Sequence, residues 1–327
     1  MIVKYIERIK SRIANHAITV QVVKLLKRYN PPGFKGNSLY AVGKFFLDSL
    51  RQENIHLRAS SLAYSFFLSL FPFLLFLLTL IAYIPIDQLK EEFLVSLNLV
   101  LPESSFSALK GTVNDILRNQ RGGLLSLGLI AAIYFSSNGI MTIISALNRN
   151  VPKIERRALI QKRLLAIGLT LGMMIILIII VGLLVLTASV EGHLLSIEWL
   201  PGWLCAICFF LINTLILTIG LLVIISGFYY LAPVKRAHVS QFTFISPGSL
   251  LTTFLIICTT LILQYYINNI YAYNTVYGSI GAIIALLVLL YFNANCILIG
   301  YELNRSINKA IDSRLESRPY IIKKIED

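Results

Sequence analysis

Six long apolar stretches, none of which contains Asp, Glu, Lys or Arg, constrain this chain more than any other feature. They cover residues 62–86, 124–147, 164–190, 203–230, 245–266 and 280–301. Each is at least as long as the roughly 20 residues that an α-helix needs to cross the hydrocarbon of a bilayer, where backbone groups must bond within their own segment. The sequence therefore predicts an all-α integral membrane protein, a bundle of six transmembrane helices.

The composition agrees with this fold class. Hydrophobic residues make up 57% of the chain and charged residues 14%, whereas soluble domains have about 45–50% and about 25%. An ordinary soluble enzyme is therefore excluded. We expect a cytoplasmic amphipathic helical region over residues 1–61, the six-helix transmembrane domain over 62–301, and a cytoplasmic C-terminal tail over 302–327.

The 29 Lys and Arg residues are divided unevenly among the segments that connect the apolar stretches. Alternate segments, beginning with residues 1–61, hold 25 of them, and the other segments hold four. Lys and Arg accumulate on the cytoplasmic side of membrane proteins. We therefore expect both termini and the second and fourth loops in the cytoplasm. The formal net charge of +13 is then a sign of topology and not of nucleic-acid binding.

Residues 1–28 combine apolar side chains at helical spacing with basic side chains on the remaining surface. A basic amphipathic helix of this kind binds the anionic lipid headgroups of the cytoplasmic leaflet. The alternative is a solvated helix packed on the protein's own cytoplasmic loops. The Asn-Pro-Pro-Gly sequence at residues 30–33 separates this helix from a second helical stretch, residues 39–51, that leads into the first apolar stretch.

The search for a catalytic or metal site gives negative results. The four histidines, His16, His56, His193 and His238, are scattered over three segments and show no metal-ligand spacing. The chain contains no phosphate-binding Gly-x-x-x-x-Gly-Lys-Ser/Thr motif and no Gly-x-Ser-x-Gly motif. We therefore expect no catalytic residue, no metal, no cofactor and no nucleic-acid partner.

Two short patterns of small residues have a functional and a structural interpretation. Cys205 and Cys208 have the Cys-x-x-Cys spacing of redox and metal pairs. Because no second pair accompanies them, we favour small buried cysteines that fill a helix interface. Gly168 and Gly172 have the spacing of closely packed membrane helices and predict such a contact in the third stretch.

Several motifs occur in an order that is typical of a known family. They are Arg-Ala-Ser-Ser-Leu-Ala-Tyr-Ser-Phe-Phe-Leu-Ser-Leu-Phe-Pro at 58–72, Leu-Asn-Arg at 147–149, Tyr-Leu-Ala-Pro at 230–233, Pro-Gly at 247–248, Asn-Thr-Val-Tyr-Gly-Ser-Ile-Gly-Ala at 274–282 and Gly-Tyr-Glu-Leu-Asn at 300–304. With these motifs, residues 40–305 resemble the YihY/BrkB family of bacterial inner-membrane proteins.

The resemblance implies a multi-pass protein of the bacterial inner membrane. Members of the family have carried a ribonuclease BN label, which the residues of this chain do not support. They offer no cluster of ligands or acid–base groups for metal-assisted phosphodiester cleavage. The family is otherwise described through serum resistance and transport, with envelope lipid handling suggested for some members.

Polar residues inside the apolar stretches are the remaining functional signal, because they are costly in hydrocarbon unless they pair or line a cavity. The substrate-path candidates are Ser65, Ser69, Pro72, Asn138, Asn148, Asn213, Tyr277, Asn295 and Glu302. The serines have close helix packing as their alternative role, and the asparagines have interhelical hydrogen bonds. Tyr277 belongs to the uncharged loop 267–279, whose tyrosines are typical of a membrane interface.

Glu302, at the cytoplasmic end of the sixth stretch, is the acidic residue closest to the apolar core. As a functional group it would bind a proton or a cation. The alternative is a solvated partner of Arg305 or Arg149, because a carboxylate at the level of the lipid headgroups need not lose its water.

The second and sixth stretches are similar to each other. Both contain Tyr-Phe-x-x-Asn, at 134–138 and 291–295, and both end in Leu-Asn-Arg. Since both cross in the same direction, they predict a parallel repeat about an axis along the membrane normal, with chance similarity as the alternative. A true repeat would place Asn138 and Asn295 at equal depth, facing a shared cavity.

Together these features predict a permease or flippase-like transporter of a lipid or other amphiphile. An uncharged bundle with small-residue faces and a basic amphipathic flank suits such a substrate. The alternative is a non-transporting structural or scaffolding protein of the envelope. The expected partners are the lipid bilayer, the amphiphilic substrate and anionic headgroups at the N-terminal region, and a homo-oligomer is left open.

Overall fold

The computed structural model describes most of the chain. The described residues are 17–52, 54–83, 110–111, 113–115, 122–148, 157–195, 202–234, 243–269 and 271–326. Residues 1–16 of the predicted basic amphipathic helix lie outside them, as does most of the segment 87–123 between the first two apolar stretches.

Helices are the regular elements throughout the described part of the chain. They are α1 (Ala17–Arg28), α2 (Leu39–Gln52), α3 (Ile55–Tyr83), α4 (Gly122–Leu147), α5 (Leu159–Leu195), α6 (Gly202–Leu231), α7 (Pro247–Asn269) and α8 (Tyr271–Glu326). The predicted all-α class is thus confirmed. α8 has 56 residues, about 84 Å at 1.5 Å per residue, and so is much longer than a membrane span.

The helices α3 to α8 form a ring in which each packs against the next along the chain, and α8 closes the ring against α3. The starts of α3, α5 and α7 lie together with the ends of α4 and α6, and hydrogen bonds at these ends join α3 to α4, α5 to α6 and α6 to α7. We name this end of the ring the junction end. Successive helices therefore run in opposite directions.

Four helices, α5 to α8, contain segments that are long and apolar enough to cross a membrane, by length and composition over the described residues. α4 contributes a shorter apolar segment, Ile133–Leu147. α5 and α6 leave most of their apolar surface uncovered by protein, as helices that face lipid do. The chain is thus a helical membrane protein.

The main hydrophobic core of the described residues lies toward the junction end. It includes Leu62 of α3, Ile144 of α4, Phe228 and Tyr229 of α6, and Leu298 of α8. All five are at most 6% exposed. Because five of the six ring helices contribute to one core, with Ala166 representing α5, this end of the ring is held in a fixed arrangement.

The N-terminal region packs on the long helix α8. The turn after α1 contains Gly33 at φ 85°, in the left-handed region that favours glycine. A Cβ at Gly33 would lie 2.7 Å from Cγ of Pro247, so the turn sits against the start of α7. A second small core joins α2 and this turn to α8; its buried members are Phe34, Val42, Ile307 and Ala310.

The helices α7 and α8 cross at two glycines. A Cβ added to Gly300 would lie 2.5 Å from the carbonyl oxygen of Gly248, and a Cβ on Gly248 would overlap the carbonyl oxygen of Gly300. Beside the crossing, the Tyr229 hydroxyl donates to the carbonyl oxygen of Ile297 at 2.5 Å and bonds the Thr252 hydroxyl at 2.6 Å. The crossing therefore requires glycine on both helices.

The prediction of a loop over residues 267–279 needs correction, because the backbone is helical through Asn269 and again from Tyr271. The segment contains no proline and no Asn-Gly or Gly-Pro dipeptide, so it carries no strong turn signal that would end the helices earlier. The predicted C-terminal tail is likewise helical through Glu326, since α8 extends beyond the bundle.

Candidate functional site

A buried ion-pair cluster, which we name the charged junction, connects the start of α3 to α8. Nη1 of Arg58 lies 3.3 Å from Oε1 of Glu302, and Nη1 of Arg305 lies 3.3 Å from Oε2 of the same carboxylate. Arg58 also donates through Nη2 to the carbonyl oxygen of Ala146 at the end of α4. The Glu302 side chain is 0% exposed and that of Arg58 is 7% exposed.

The interpretation of Glu302 as a solvated partner of Arg305 or Arg149 needs correction in one respect, and a role of Glu302 as a proton or cation site stays a prediction. The expected partner Arg305 is present, but the carboxylate is buried and not solvated, and its second partner is Arg58. Arg149 lies outside the described residues. Each carboxylate oxygen of Glu302 is paired with one guanidinium group. Glu302 therefore forms a salt bridge that connects α8 to α3.

Asn148, a substrate-path candidate, joins the end of α4 to the end of α6. Its Nδ2 donates to the carbonyl oxygens of Ile144 at 2.7 Å and Ala232 at 2.8 Å, and its Oδ1 accepts from the Val234 N–H at 2.7 Å. The amide therefore uses both of its functional ends. The Leu-Asn-Arg and Tyr-Leu-Ala-Pro motifs thus contact each other directly.

Arg157 strengthens this contact from the start of α5. Its guanidinium donates to the carbonyl oxygens of Ala232 at 2.7 Å, Pro233 at 3.1 Å and Leu231 at 3.3 Å. A cation is favourable at the C-terminal end of a helix, where carbonyl groups lack partners. Burial lowers the pKa of Arg157 from its ordinary value, but an arginine remains charged at neutral pH.

Asn304 makes the corresponding contact in the second copy of the Leu-Asn-Arg motif. Its Oδ1 accepts from the Gly248 N–H at 2.8 Å, and its Nδ2 donates to the Ser246 hydroxyl at 2.8 Å. Ser246 in turn caps α7, because its hydroxyl accepts from the Ser249 N–H at 3.2 Å. Asn148 and Asn304 therefore both hydrogen-bond a motif of a neighbouring helix at the junction end.

A pocket of about 330 Å³ opens beside Asn148 between α4, α5 and the end of α6. We name it the basic pocket. Its described polar lining consists of Ser145, Asn148, Arg157 and Lys162. Two of these side chains carry positive charge and none carries negative charge. Lys162 of α5 donates to the hydroxyl of Ser145 of α4, so its ammonium group lies between these two helices.

An apolar groove of about 470 Å³ lies next to the pocket, between α5 and α6. We name it the α5–α6 groove. Gly168, Gly172 and Gly227 line it, and a Cβ on any of them would meet no atom within 4 Å. The prediction that Gly168 and Gly172 form a close helix contact is therefore wrong. The glycines leave open space between α5 and α6. Leucines such as Leu164 and Leu165 line this space.

The serine candidates of α3 take part in helix packing. The Ser65 hydroxyl donates to the Ser61 carbonyl and lies 3.2 Å from the Thr142 hydroxyl of α4. The Ser69 hydroxyl bonds within its own helix, and Gly139 of α4 packs beside it. These small side chains thus let α3 and α4 approach each other.

Of the three other asparagine candidates, two bond to a neighbouring helix and one bonds within its own helix. Asn138 accepts from Nη1 of Arg163 at 2.6 Å, and Asn213 accepts from the Thr187 hydroxyl at 2.6 Å. Asn295 donates to the Tyr291 carbonyl of its own helix. That Asn138 and Asn295 face a shared cavity stays a prediction.

Arg163 is a polar residue that sequence reasoning counted only as a topological charge. Its guanidinium lies 4.3 Å from the ring centroid of Tyr134 and donates to the Ser137 hydroxyl at 3.1 Å. The signal that could have identified it is its position within one turn of an apolar stretch. Its partners Tyr134 and Ser137 lie 29 and 26 residues earlier in the chain. No local sequence pattern connects residues that far apart.

The last two substrate-path candidates are Pro72 and Tyr277. Their side chains lie outside the described residues.

The two cysteines of the Cys-x-x-Cys pattern differ in exposure. Cys205 is buried as expected, whereas Cys208 is exposed, which corrects the expectation that both fill a helix interface.

The described residues contain no group of three His, Cys, Asp or Glu side chains that could hold a metal ion. His56 is the histidine whose side chain the described part of the chain includes, and its Nδ1 lies 3.1 Å from the Tyr291 hydroxyl. The site as described consists of ion pairs, amides and a cationic pocket, which can bind an anion and fasten helices together.

The apolar helices and their polar junction define the class of helical membrane proteins. The chain belongs to the Virulence factor BrkB family, which it matches over residues 46–320. It is 33% identical over 252 residues to the ribonuclease-like protein YfkH of Bacillus subtilis (strain 168), covering 77% of this chain and 90% of that relative. No solved structure matches the chain.

Proposed function

We propose that this chain is a six-span protein of the bacterial cytoplasmic membrane that carries a lipid or other amphiphile as a permease or flippase-like transporter. The α5–α6 groove next to the basic pocket carries this proposal, because an amphiphile needs an apolar surface for its tail and a polar site for its head. In this account both termini and the junction end face the cytoplasm, as the distribution of Lys and Arg predicts.

The direct test is transport by purified protein in liposomes that contain a fluorescent phospholipid. A reductant added outside destroys the fluorescence of lipid that reaches the outer leaflet. We expect the full chain to expose more lipid than protein-free liposomes do. Equal exposure would contradict transport and favour a structural or scaffolding role in the envelope.

Ribonuclease activity is not part of the proposal, although the Bacillus relative is named ribonuclease-like. Metal-assisted cleavage needs clustered ligands, and the histidines of this chain are dispersed over its length. We predict that replacing all four histidines with alanine leaves any ribonuclease activity of a purified preparation unchanged. Loss of the activity in a variant with the wild-type melting temperature would show that the activity belongs to this protein.

A further inference from the structure

We propose that the basic pocket binds the phosphate group of an anionic phospholipid while an acyl chain of the same molecule lies in the α5–α6 groove. This inference rests on the proposed function and names the class of amphiphile. The observation behind it is that neighbouring residues of α5 line a cationic pocket and an apolar groove.

The pocket supplies the chemistry that a phosphate recognises. Lys162 contributes the positive charge of an ammonium group, which also bonds the Ser145 hydroxyl. Arg157 contributes a second positive charge, since its bonds to carbonyl oxygens leave the charge in place. The start of α5 adds backbone N–H groups beside Leu159, which lines the pocket. The described lining contains no carboxylate that would repel a phosphate.

The groove lies close to the pocket at the end of α6 and along α5. Leu231 lines the groove, and its carbonyl oxygen bonds Arg157 of the pocket. On α5, Lys162 of the pocket is followed within one turn by Leu164 and Leu165 of the groove. A molecule with its phosphate at Lys162 can therefore place its tail between α5 and α6.

The length of the groove fits one leaflet of a bilayer. Its lining on α5 runs from Leu164 to Ile176, which corresponds to about 18 Å at 1.5 Å per residue. Half of the hydrocarbon thickness is about 15 Å. The groove therefore reaches from the headgroup level of the cytoplasmic leaflet to the bilayer centre, the depth of an acyl chain. Its glycines leave the space that the chain occupies.

The test measures lipid retained by the full chain in detergent, using native mass spectrometry with phosphatidylglycerol and, separately, zwitterionic phosphatidylcholine. We expect phosphatidylglycerol to be retained in preference. Lys162→Gln should lower its retention about tenfold or more, since hydrogen bonds to charged groups contribute about 1.5–3 kcal/mol. Lys162→Arg should restore it. The matched control is Lys44→Gln, an exposed lysine of α2, which should retain the wild-type amount.

A second pair of variants examines the groove without changing a charge. Gly168→Leu fills the groove and should reduce retention, whereas Gly182→Leu, at an equally open glycine of α5 outside the groove, should not. Equal retention by Lys162→Gln and Lys44→Gln would overturn the inference. Displacement of the lipid by inorganic phosphate at equal concentration would also overturn it, because the site would then bind phosphate without regard to the tail.

The result separates this inference from the proposed function. Selective retention that depends on Lys162, in a protein that transports no lipid, would contradict the transport function and leave the lipid site in place. Transport that is unchanged in Lys162→Gln, together with undiminished retention, would contradict the lipid site and leave transport in place.

Discussion

At the residue scale, the most consequential side chain is a carboxylate with no exposed surface. Glu302 lies between Arg58 and Arg305, with 3.3 Å to each guanidinium. A buried ion pair contributes little net stability compared with an apolar pair, but removing one partner leaves an uncompensated charge. The ion pairs of the charged junction must therefore form when α3 packs against α8.

Glu302→Gln should lower the free energy of unfolding in detergent by about 3–5 kcal/mol, because Arg58 then stays buried without its counter-charge. The control Asp312→Asn, at a partly exposed position of the same helix, should change it by no more than about 0.5 kcal/mol. The double change Arg58→Met, Glu302→Met should recover part of the loss. Equal melting temperatures for Glu302→Gln and wild type would contradict a buried ion pair.

The residue scale is also where sequence reasoning was least complete. The sequence marks Asn148 as a candidate, but its partner Ala232 lies 84 residues further along the chain. The charges of Arg157 and Lys162 predict on which side of the membrane these residues lie, because that prediction depends only on counting Lys and Arg in each segment. Their convergence on one pocket depends on the rotation of α4 and α5 about their axes, which hydropathy alone does not fix.

At the scale of elements, the glycines perform two opposite tasks. Gly248 and Gly300 let two helix backbones touch, whereas Gly168 and Gly172 keep space open between helices. Both patterns consist of small residues in an apolar sequence, so the sequence alone could not distinguish them. The helices themselves were predictable, since long uncharged stretches in lipid form helices.

Gly300→Ala should destabilise the protein by about 1–3 kcal/mol or more, because the added methyl group would lie 2.5 Å from the Gly248 carbonyl oxygen. Thermal unfolding in detergent measures the effect. Gly182→Ala is the matched control, since its methyl group meets no atom within 4 Å and alanine favours a helix by about 0.5–1 kcal/mol. A Gly300→Ala variant as stable as Gly182→Ala would contradict the close crossing.

At the scale of the whole molecule, the ring of helices brings the resemblance motifs other than residues 274–282 to one end. The starts of α3 and α7, the ends of α4 and α6, and α8 contribute the motif residues that bond one another there. Hydropathy predicted the number and order of the apolar stretches, and charge predicted the side of each loop. The groove is a property of the assembled ring and follows from neither.

Reporter fusions test the topology on which the proposal depends. Fusions after Asp327 and after Arg163 should report a cytoplasmic location, and a fusion near Lys110 should report an external one, because Lys and Arg are concentrated in alternate segments. An external C-terminus would contradict six crossings.

Transport in liposomes, compared between Gly168→Leu and Gly182→Leu, tests the central claim most directly. The two variants add the same side chain to the same helix at glycines with open surroundings, and only Gly168 lines the α5–α6 groove. The account predicts that Gly182→Leu moves fluorescent phospholipid at the wild-type rate and that Gly168→Leu falls to the rate of protein-free liposomes. Wild-type transport by a folded Gly168→Leu variant would contradict it.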